Sequence, residues 1–328
     1  MKKNIAIVWG GYSSEIIVSE KSAQGIFSFM DKEKYNLFKV KIIKESWTVE
    51  YQEKECLIDK NDFSFIPEKG RRIKFDFAYI TIHGTPGENG LLQGYLDMLR
   101  IPYSTGGVLS TALSFNKFTC NNFLKSFGIN VADSLILREG ETFDVHKVIE
   151  NIGLPLFVKP NVGGSSFGTT KVKEATRLDA AIQAAFDEAP EVMIERFIAG
   201  TEVTCGCMFA NDKLTVFPLT EVVTHNDFFD YDAKYNGEVE EITPARISES
   251  LEREIKQITR RIYHLINAAG IIRADYIISN NKPILLEVNT TPGMTPTSFI
   301  PQQVAAAGLS MSDVLSNIIE SEYNHLNK

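Results

Sequence analysis

Two apolar runs late in the chain, Ile271 to Ile278 (IIRADYII) and Pro283 to Ser298 (PILLEVNTTPGMTPTS), limit what it can fold into more than any other stretch. Each begins with the aliphatic, β-branched residues of a buried strand, yet each carries acidic or amide oxygens where apolar residues belong. Residues i and i+2 share one face of a strand, so Arg273 points with Asp275, and Glu287 with Asn289. If the two strands pair, Asp275, Glu287 and Asn289 converge. Hard oxygen donors of this kind suit Mg²⁺, which takes one or two carboxylates and leaves its other positions to water and substrate phosphates. A phosphoryl-transfer centre is the economical explanation. The alternative is the solvent face of an amphipathic hairpin. Against it stands Thr290-Thr291-Pro292-Gly293, a turn in which Gly293 can bring a backbone N–H up to a ligand. From the pattern alone both readings stay open.

With 44% of its 328 residues hydrophobic and 23% charged, the chain can fill two or three cores, which excludes disorder of the whole. Its formal net charge is −8, and no long run of Lys or Arg interrupts it, which excludes a nucleic-acid footprint and points to small ligands. The start, Met-Lys-Lys followed by Ile5 to Trp9, is too short for a signal peptide and ends in Gly-Gly, as a first strand and its turn would. No apolar stretch is long enough to span a bilayer. Cys56, Cys120, Cys205 and Cys207 lack structural-zinc spacing, so the expectation is a reduced, cytoplasmic protein with no nucleic-acid or membrane partner.

The apolar run Asn4 to Trp9 predicts a central parallel strand, followed by the Gly10-Gly11 turn and a helix to about Met30 capped by Ser13 or Ser14. Glu15 near that helix start either favours the helix dipole or serves a site; the segment alone does not choose. Strands are expected at Leu37 to Ile43 and Phe75 to Ile82, with an extended pair around Trp47 to Ile58. The His83-Gly84-Thr85-Pro86-Gly87-Glu88 loop follows a strand at the end where open α/β sheets bind ligands, which makes His83 and Glu88 candidates. A His at a strand end is as often a structural hydrogen-bonder. Helical spacing runs from Val108 to Phe127, in which Lys117 reads as a snorkelling surface lysine. Strands at Val131 to Leu137 and Leu154 to Lys159 follow, then the glycine-serine loop Pro160 to Gly168, whose N–H groups could wrap a phosphate. It is not a P-loop, because no GK[ST] ending or helix follows; Lys159 beside it argues against a plain hairpin. A helix from about Ala175 to Glu188 and a strand at Val192 to Phe197 complete a small antiparallel sheet. Beyond Gly200 come strands at Val203 to Phe209 and Leu214 to Glu221, then a long aromatic loop from Thr224 to Gly237, which reads as a lid. Helices over Leu251 to Ala269 and from Met311 to about Asn324 close the chain.

In this order the motifs GGYSSE, HGTPGENG, VKPNVGGSSFG, YDAKY and LLEVNTTPGMTPTS resemble those of the ATP-grasp carboxylate–amine ligases, within them the D-alanine–D-alanine ligase family. The correspondence spans essentially the whole chain. It implies an α/β and α+β protein: an N-terminal Rossmann-like parallel-sheet domain over 1–107, and two domains with antiparallel sheets, 108–200 and 201–328, that clasp ATP. The lid is the loop at 224–237.

The resemblance also implies roles. Lys117 and Lys159 would neutralise the ATP phosphates, with Lys234 on the γ-phosphate. Glu195, Arg196, Phe197 and Ile198 would contact adenine, Glu202 the ribose, and Phe228, Ile277 and Leu286 would join the same nucleotide set. Asp275, Glu287 and Asn289 match the ligands of two Mg²⁺ (or Mn²⁺) ions; a monovalent cation is a further candidate activator. Glu15, with Ser165 and Tyr235, would hold the first D-alanine's ammonium, and His83 would help position it. Arg273 and the Gly293 N–H would bind the oxyanion, and Ser298 would receive the second carboxylate. Phe299 stands where leucine is common in the family, beside the second subsite; Phe197 and Gly163 also depart from residues found in some relatives. The implied reaction is ATP-dependent synthesis of D-alanyl-D-alanine through an acyl phosphate, for peptidoglycan precursors, by a homodimer. Its rivals are a same-fold ligase making D-alanyl-D-lactate or a mixed D-dipeptide, and a catalytically silent ATP-binding module.

Overall fold

A computed structural model describes residues 2–164, 167–224 and 239–326. The first sheet is built from β1 (Lys3–Gly10), followed by helix α1 (Ile16–Phe29), β2 (Tyr35–Ile42), β3 (Trp47–Tyr51), β4 (Lys54–Asp59), β5 (Ser64–Phe65), β6 (Ile73–Lys74) and β7 (Phe77–Ile80). Their order is β6-β5-β4-β3-β2-β1-β7. Only β2, β1 and β7 run parallel; β2 to β6 pair antiparallel. The sheet is a parallel core with an antiparallel flank, for a simple reason. A parallel return needs a crossover of a dozen or more residues, and only α1 and the 43–76 excursion as a whole supply one. β1 is apolar and buried along Ile5 to Val8, as a central strand covered on both faces must be.

α1 begins without a side-chain cap: Glu15 occupies the cap position, and neither Ser13 nor Ser14 fills that role. After α2 (Leu91–Met98), the helical run expected over Val108 to Phe127 is two helices, α3 (Val108–Phe115) and α4 (Lys117–Ser126). Asn116 separates them, and its side chain accepts from the Thr119 N–H at 2.9 Å, an N-cap that starts a new helix. The second sheet holds β8 (Ser134–Arg138), β9 (Leu156–Pro160), β10 (Thr170–Val172) and β11 (Glu191–Arg196) in the order β10-β9-β11-β8, all antiparallel. Helices α5 (Val145–Ile152) and α6 (Leu178–Phe186) share its apolar core.

The third sheet comprises β12 (Thr201–Ala210), β13 (Lys213–Val216), β14 (Thr220–Thr224), β15 (Val239–Ile242), β16 (Ile271–Ser279) and β17 (Lys282–Asn289), with α7 (Glu249–Leu265) between β15 and β16. Its main path is β15-β14-β12-β16-β17, with β13 beside β12. β16 and β17 are joined through Asn280 and Asn281, both at positive φ (50° and 59°), the backbone of a tight hairpin that Asn tolerates. On one face α7 buries Ile255 and Ile262 against Tyr276, whose hydroxyl shares a 2.8 Å hydrogen bond with Thr259. α4 packs into the same cluster through Cys120 and Leu124, and Asn121 donates to the Leu286 carbonyl. The apolar faces of 108–126 therefore meet the third sheet rather than the second.

Helices α8 (Phe299–Ala306) and α9 (Met311–Leu326) complete the chain. Ile300, Val314, Leu315, Ile318 and Ile319 join Ile5, Ile7 and Ile26 of the first unit in one continuous core with Met208 and Phe217. At its edge Glu320 accepts from the Tyr35 hydroxyl (2.9 Å) and pairs with Lys3 (2.6 Å). α1 approaches the loop after β17 so closely that a Cβ on Gly25 would lie 2.0 Å from the Met294 carbonyl oxygen.

That contact reverses the usual effect of a helix glycine. Gly25→Ala should gain about 1 kcal/mol of helix propensity, yet overpacking against backbone costs about 1–3 kcal/mol or more. A lowered thermal unfolding midpoint is expected. An unchanged or raised midpoint would refute the close contact.

Candidate active site

The three sheets enclose one cavity of about 1260 Å³. Its wall includes Glu15, His83, Lys117, Lys159, Glu195, Arg196, Phe197, Ile198, Glu202, Arg273, Asp275, Ile277, Leu286, Glu287, Asn289, Gly293, Ser298 and Phe299. Every sequence-predicted site residue that the structure describes is thus brought together. Ser165, Phe228, Lys234 and Tyr235, and all of the 224–237 loop beyond Thr224, lie outside the described residues.

The floor is the β16–β17 hairpin. In its register Asp275 lies opposite Glu287 and Arg273 opposite Asn289, so the four polar side chains share the cavity face. Arg273 donates to both Asp275 oxygens, from Nε at 2.8 Å and from an Nη at 2.7 Å, and Asn289 Nδ2 donates to Asp275 Oδ2 at 3.0 Å. Burial alone would lower the Arg273 pKa; the adjacent Asp275 carboxylate outweighs it and drives the value up, so the guanidinium stays charged. Among the described residues no group of three or more His, Cys, Asp or Glu side chains is gathered as a metal cage. Two carboxylates and an amide on facing strands are nonetheless the hard-oxygen set that suits a Mg²⁺ completed by phosphate and water. These residues fit such an ion, with Glu287 as the carboxylate less committed to Arg273.

One wall carries the lysines. Lys117, far from a surface snorkeller, has a side chain only 12% exposed. Its ammonium donates to the Gly163 carbonyl and stands 4.0 Å from Glu287. Burial lowers its pKa, against the pull of Glu287. Lys159 pairs with buried Glu195 at 2.8 Å; burial opposes its charge, but the Glu195 carboxylate prevails and raises the pKa. The other Glu195 oxygen, Oε1, has no hydrogen-bond partner among the described residues and is an acceptor available to a ligand donor. The Arg196 to Glu202 stretch links β11 to β12 along the cavity rim.

The opposite wall is built on α1. Glu15 is 4% exposed, and glycines crowd it: a Cβ on Gly164 would fall 2.7 Å from its Oε1, and one on Gly84 3.5 Å from its Oε2. Ser22 Oγ lies 3.3 Å from His83 Nε2 and also accepts from the Met294 N–H at 3.4 Å, tying the first unit to the third. Burial holds His83 down to about 4, aided by the Arg273 charge, so the imidazole is neutral at physiological pH. Glu88 accepts from the Gly84 N–H at 2.7 Å; burial, then the Glu15 charge, push its carboxyl up to about 8. Ser298 Oγ accepts from the Thr295 N–H at 3.0 Å, and a Cβ on Gly293 would meet that oxygen at 3.1 Å. Sequence reasoning missed Ser22, Gly25, Glu241 and Gln302. Only Gly25, a glycine inside a helical pattern, carried a signal.

Two antiparallel sheets closing on a cavity with buried lysines above and paired carboxylates below define an ATP-grasp ligase. A family model described as D-ala D-ala ligase N-terminus matches residues 4–106, and the corresponding C-terminus model matches residues 123–320. The D-alanine–D-alanine ligase of Bacteroides fragilis is 60% identical over 325 residues, covering 98% of this chain and 100% of the relative. Among solved structures, the VanG D-Ala:D-Ser ligase of Enterococcus faecalis aligns with a TM-score of 0.86 at 32% identity, covering 98% of this chain and 100% of that one. The ATP complex of the Bacillus anthracis D-alanine–D-alanine ligase aligns at 0.78 and 28%, covering 99% of each chain. The chain belongs to the D-alanine–D-alanine ligase family.

The two shifted groups of the α1 wall make a pH prediction. Between about 4.5 and 8 the folded protein keeps a proton on Glu88 that the unfolded chain has released, so this group's contribution falls as pH rises. His83 acts oppositely between about 4 and 6.5, where only the unfolded chain is protonated, so its contribution rises with pH. From 6.5 to 8 Glu88 acts without that opposition. Glu88→Gln should therefore flatten the decline of the unfolding midpoint across this interval; an undiminished decline would contradict the assignment.

Proposed function

We infer that the protein joins two D-alanines at the expense of ATP, giving D-alanyl-D-alanine, ADP and phosphate. The observation that carries this is the single cavity in which buried lysines, the Arg273–Asp275–Asn289 cluster and the Glu15 wall face one another. A carboxylate is a poor acyl donor, and transfer of the γ-phosphoryl group to it requires alignment and charge neutralisation more than covalent help. Lys117 and Lys159 supply positive charge on the phosphate side, and Glu195 Oε1 offers an acceptor to the adenine amino group. Glu202 suits the ribose hydroxyls, and Ile277 and Leu286 an apolar bed. Asp275, Glu287 and Asn289 are the residues to hold Mg²⁺ or Mn²⁺, which when bound neutralises the terminal phosphates.

Glu15, buried in the cavity wall that also carries neutral His83, suits the first substrate's ammonium. The second substrate's ammonium loses one proton to solvent, and the resulting amine attacks the acyl phosphate carbon; the C–N bond forms, the C–O bond to phosphate breaks, and the departing phosphate takes the nitrogen's second proton. Arg273 and the Gly293 N–H suit the oxyanion of the tetrahedral intermediate, where one donor is typically worth about 2.7–4 kcal/mol. Ser298, at the N-terminus of α8, suits the second carboxylate. Three separate sheets support the division at about 107 and 200, with α3 and α4 at the start of the middle segment packed on the third sheet. Leu91 and Met98, exposed on one face of α2, support self-association. Free cysteines and ATP as substrate support a cytoplasmic setting for peptidoglycan precursor synthesis. A 60% identical D-alanine–D-alanine ligase does not favour the D-lactate or silent-module readings.

ADP release should require D-alanine, fail with L-alanine, and stop when divalent ions are chelated; release independent of D-alanine would overturn the reading. Glu15→Gln should lower kcat/KM for the first D-alanine by about 100-fold, the loss of one charged hydrogen bond, while nucleotide binding holds. Sedimentation should give twice the chain mass, and a concentration-independent monomer would remove the self-association.

A further inference from the structure

We propose that Glu241, held by Gln302, is the specificity-determining carboxylate of the second-substrate site and selects an acceptor bearing an ammonium group over a hydroxy acid. This rests on the ligase reading above.

The strand register puts Glu241 where it can act. Asp275 lies opposite Thr204 and Thr204 opposite Thr220; one step along, Ile277 lies opposite Glu202, Glu202 opposite Val222, and Val222 opposite Glu241. Directly opposed residues share a face, and so do residues two apart, so Glu241 shares the cavity face with Asp275. It lines the cavity. Nothing in the phosphoryl-transfer machinery uses it: its hydrogen-bond partner among the described residues is Gln302.

Gln302 fixes where that carboxylate sits. Its Nε2 donates to Glu241 Oε2 and, at 2.8 Å, to the Thr297 carbonyl, one residue before Ser298. The next residue, Gln303, is fully buried and locks α8 to the sheet: Oε1 accepts from the Gly206 N–H at 2.9 Å, and Nε2 donates to the Thr204 carbonyl at 3.1 Å. Three residues before Gln302, Phe299 lies under the Arg273 guanidinium at 5.4 Å. Phe299 and Gln302 share one face of α8, so a cation and a carboxylate both stand beside its first turn. That is the charge pattern of an amino acid zwitterion. Burial pushes the Glu241 carboxyl up, with Gln302 and the Arg273 charge pulling the other way, so a further positive charge beside it stabilises the carboxylate. An arriving ammonium supplies it; the neutral hydroxyl of D-lactate does not.

The test uses the full-length enzyme with ATP and Mg²⁺, offering D-alanine and D-lactate in competition and quantifying both products. Glu241→Gln keeps the side-chain shape and is expected to raise KM for the second D-alanine about tenfold, with the D-lactate product fraction rising by a similar factor. KM for ATP and for the first D-alanine should hold. Glu241→Asp keeps the charge and should retain the preference for D-alanine. An unchanged product ratio in Glu241→Gln overturns the proposal. So does equal loss of preference in Glu241→Asp, since shape rather than charge would then be the cause. Should Glu241→Gln fail to fold, Gln302→Leu, which frees the carboxylate from its tether, must shift the same ratio, and constancy there overturns it. Wild-type enzyme without D-alanine-dependent ADP release would instead strike the ligase reading.

Discussion

The pairing of β16 with β17 places an arginine, two carboxylates and an amide on one face of a buried hairpin, and the rest of the site is arranged to make that concentration of charge tolerable. A buried carboxylate without a partner is costly, and Asp275 has three donors from Arg273 and Asn289. The stretch from Asn280 to Asn281 fixes the hairpin register, so a one-residue slip would turn these groups toward the α7 side, where Tyr276 and Ile262 are packed. The catalytic geometry and the fold's core are two faces of the same strands. Neither can shift alone.

Close approach of backbone to backbone is the second condition. α1 carries Glu15 to the cavity only because Gly25 lets it rest on the Met294 carbonyl, and Gly84 and Gly164 leave room for the carboxylate itself. Ser22 continues this seam by joining His83 to the Met294 N–H. The α1 wall and the loop after β17 are thereby positioned against one another by a few contacts of fixed length. That is the kind of preorganisation a two-substrate condensation needs.

Much of this was legible because it is local. The i, i+2 pairing of Arg273 with Asp275, the glycine-rich turns and the acidic strand ends are written in short stretches, and the motif order supplied the rest. Lys117 misled in isolation: nothing local shows that the Asn116 cap would start a new helix and turn that lysine inward over Glu287. α5 went unseen, although Asp144 ahead of Val145, Val148 and Ile152 carries a cap and a helical stripe. Glu241 and Gln302 had no local signature. Their meeting depends on β15 lying beside β14 and on α8 settling upon that sheet, relations between segments about sixty residues apart.

The helix that closes the chain, α9, belongs to the hydrophobic cluster founded by β1 and α1, with Ile318 and Ile319 against Ile5 and Ile26. During synthesis the opening βα unit thus emerges with an oily flank whose natural cover, α9, is made much later. Ribosomes add roughly 5–20 residues per second, so that flank stays wet until α9 has been translated, and a nascent fragment stopped short of α9 would be a natural client for chaperones.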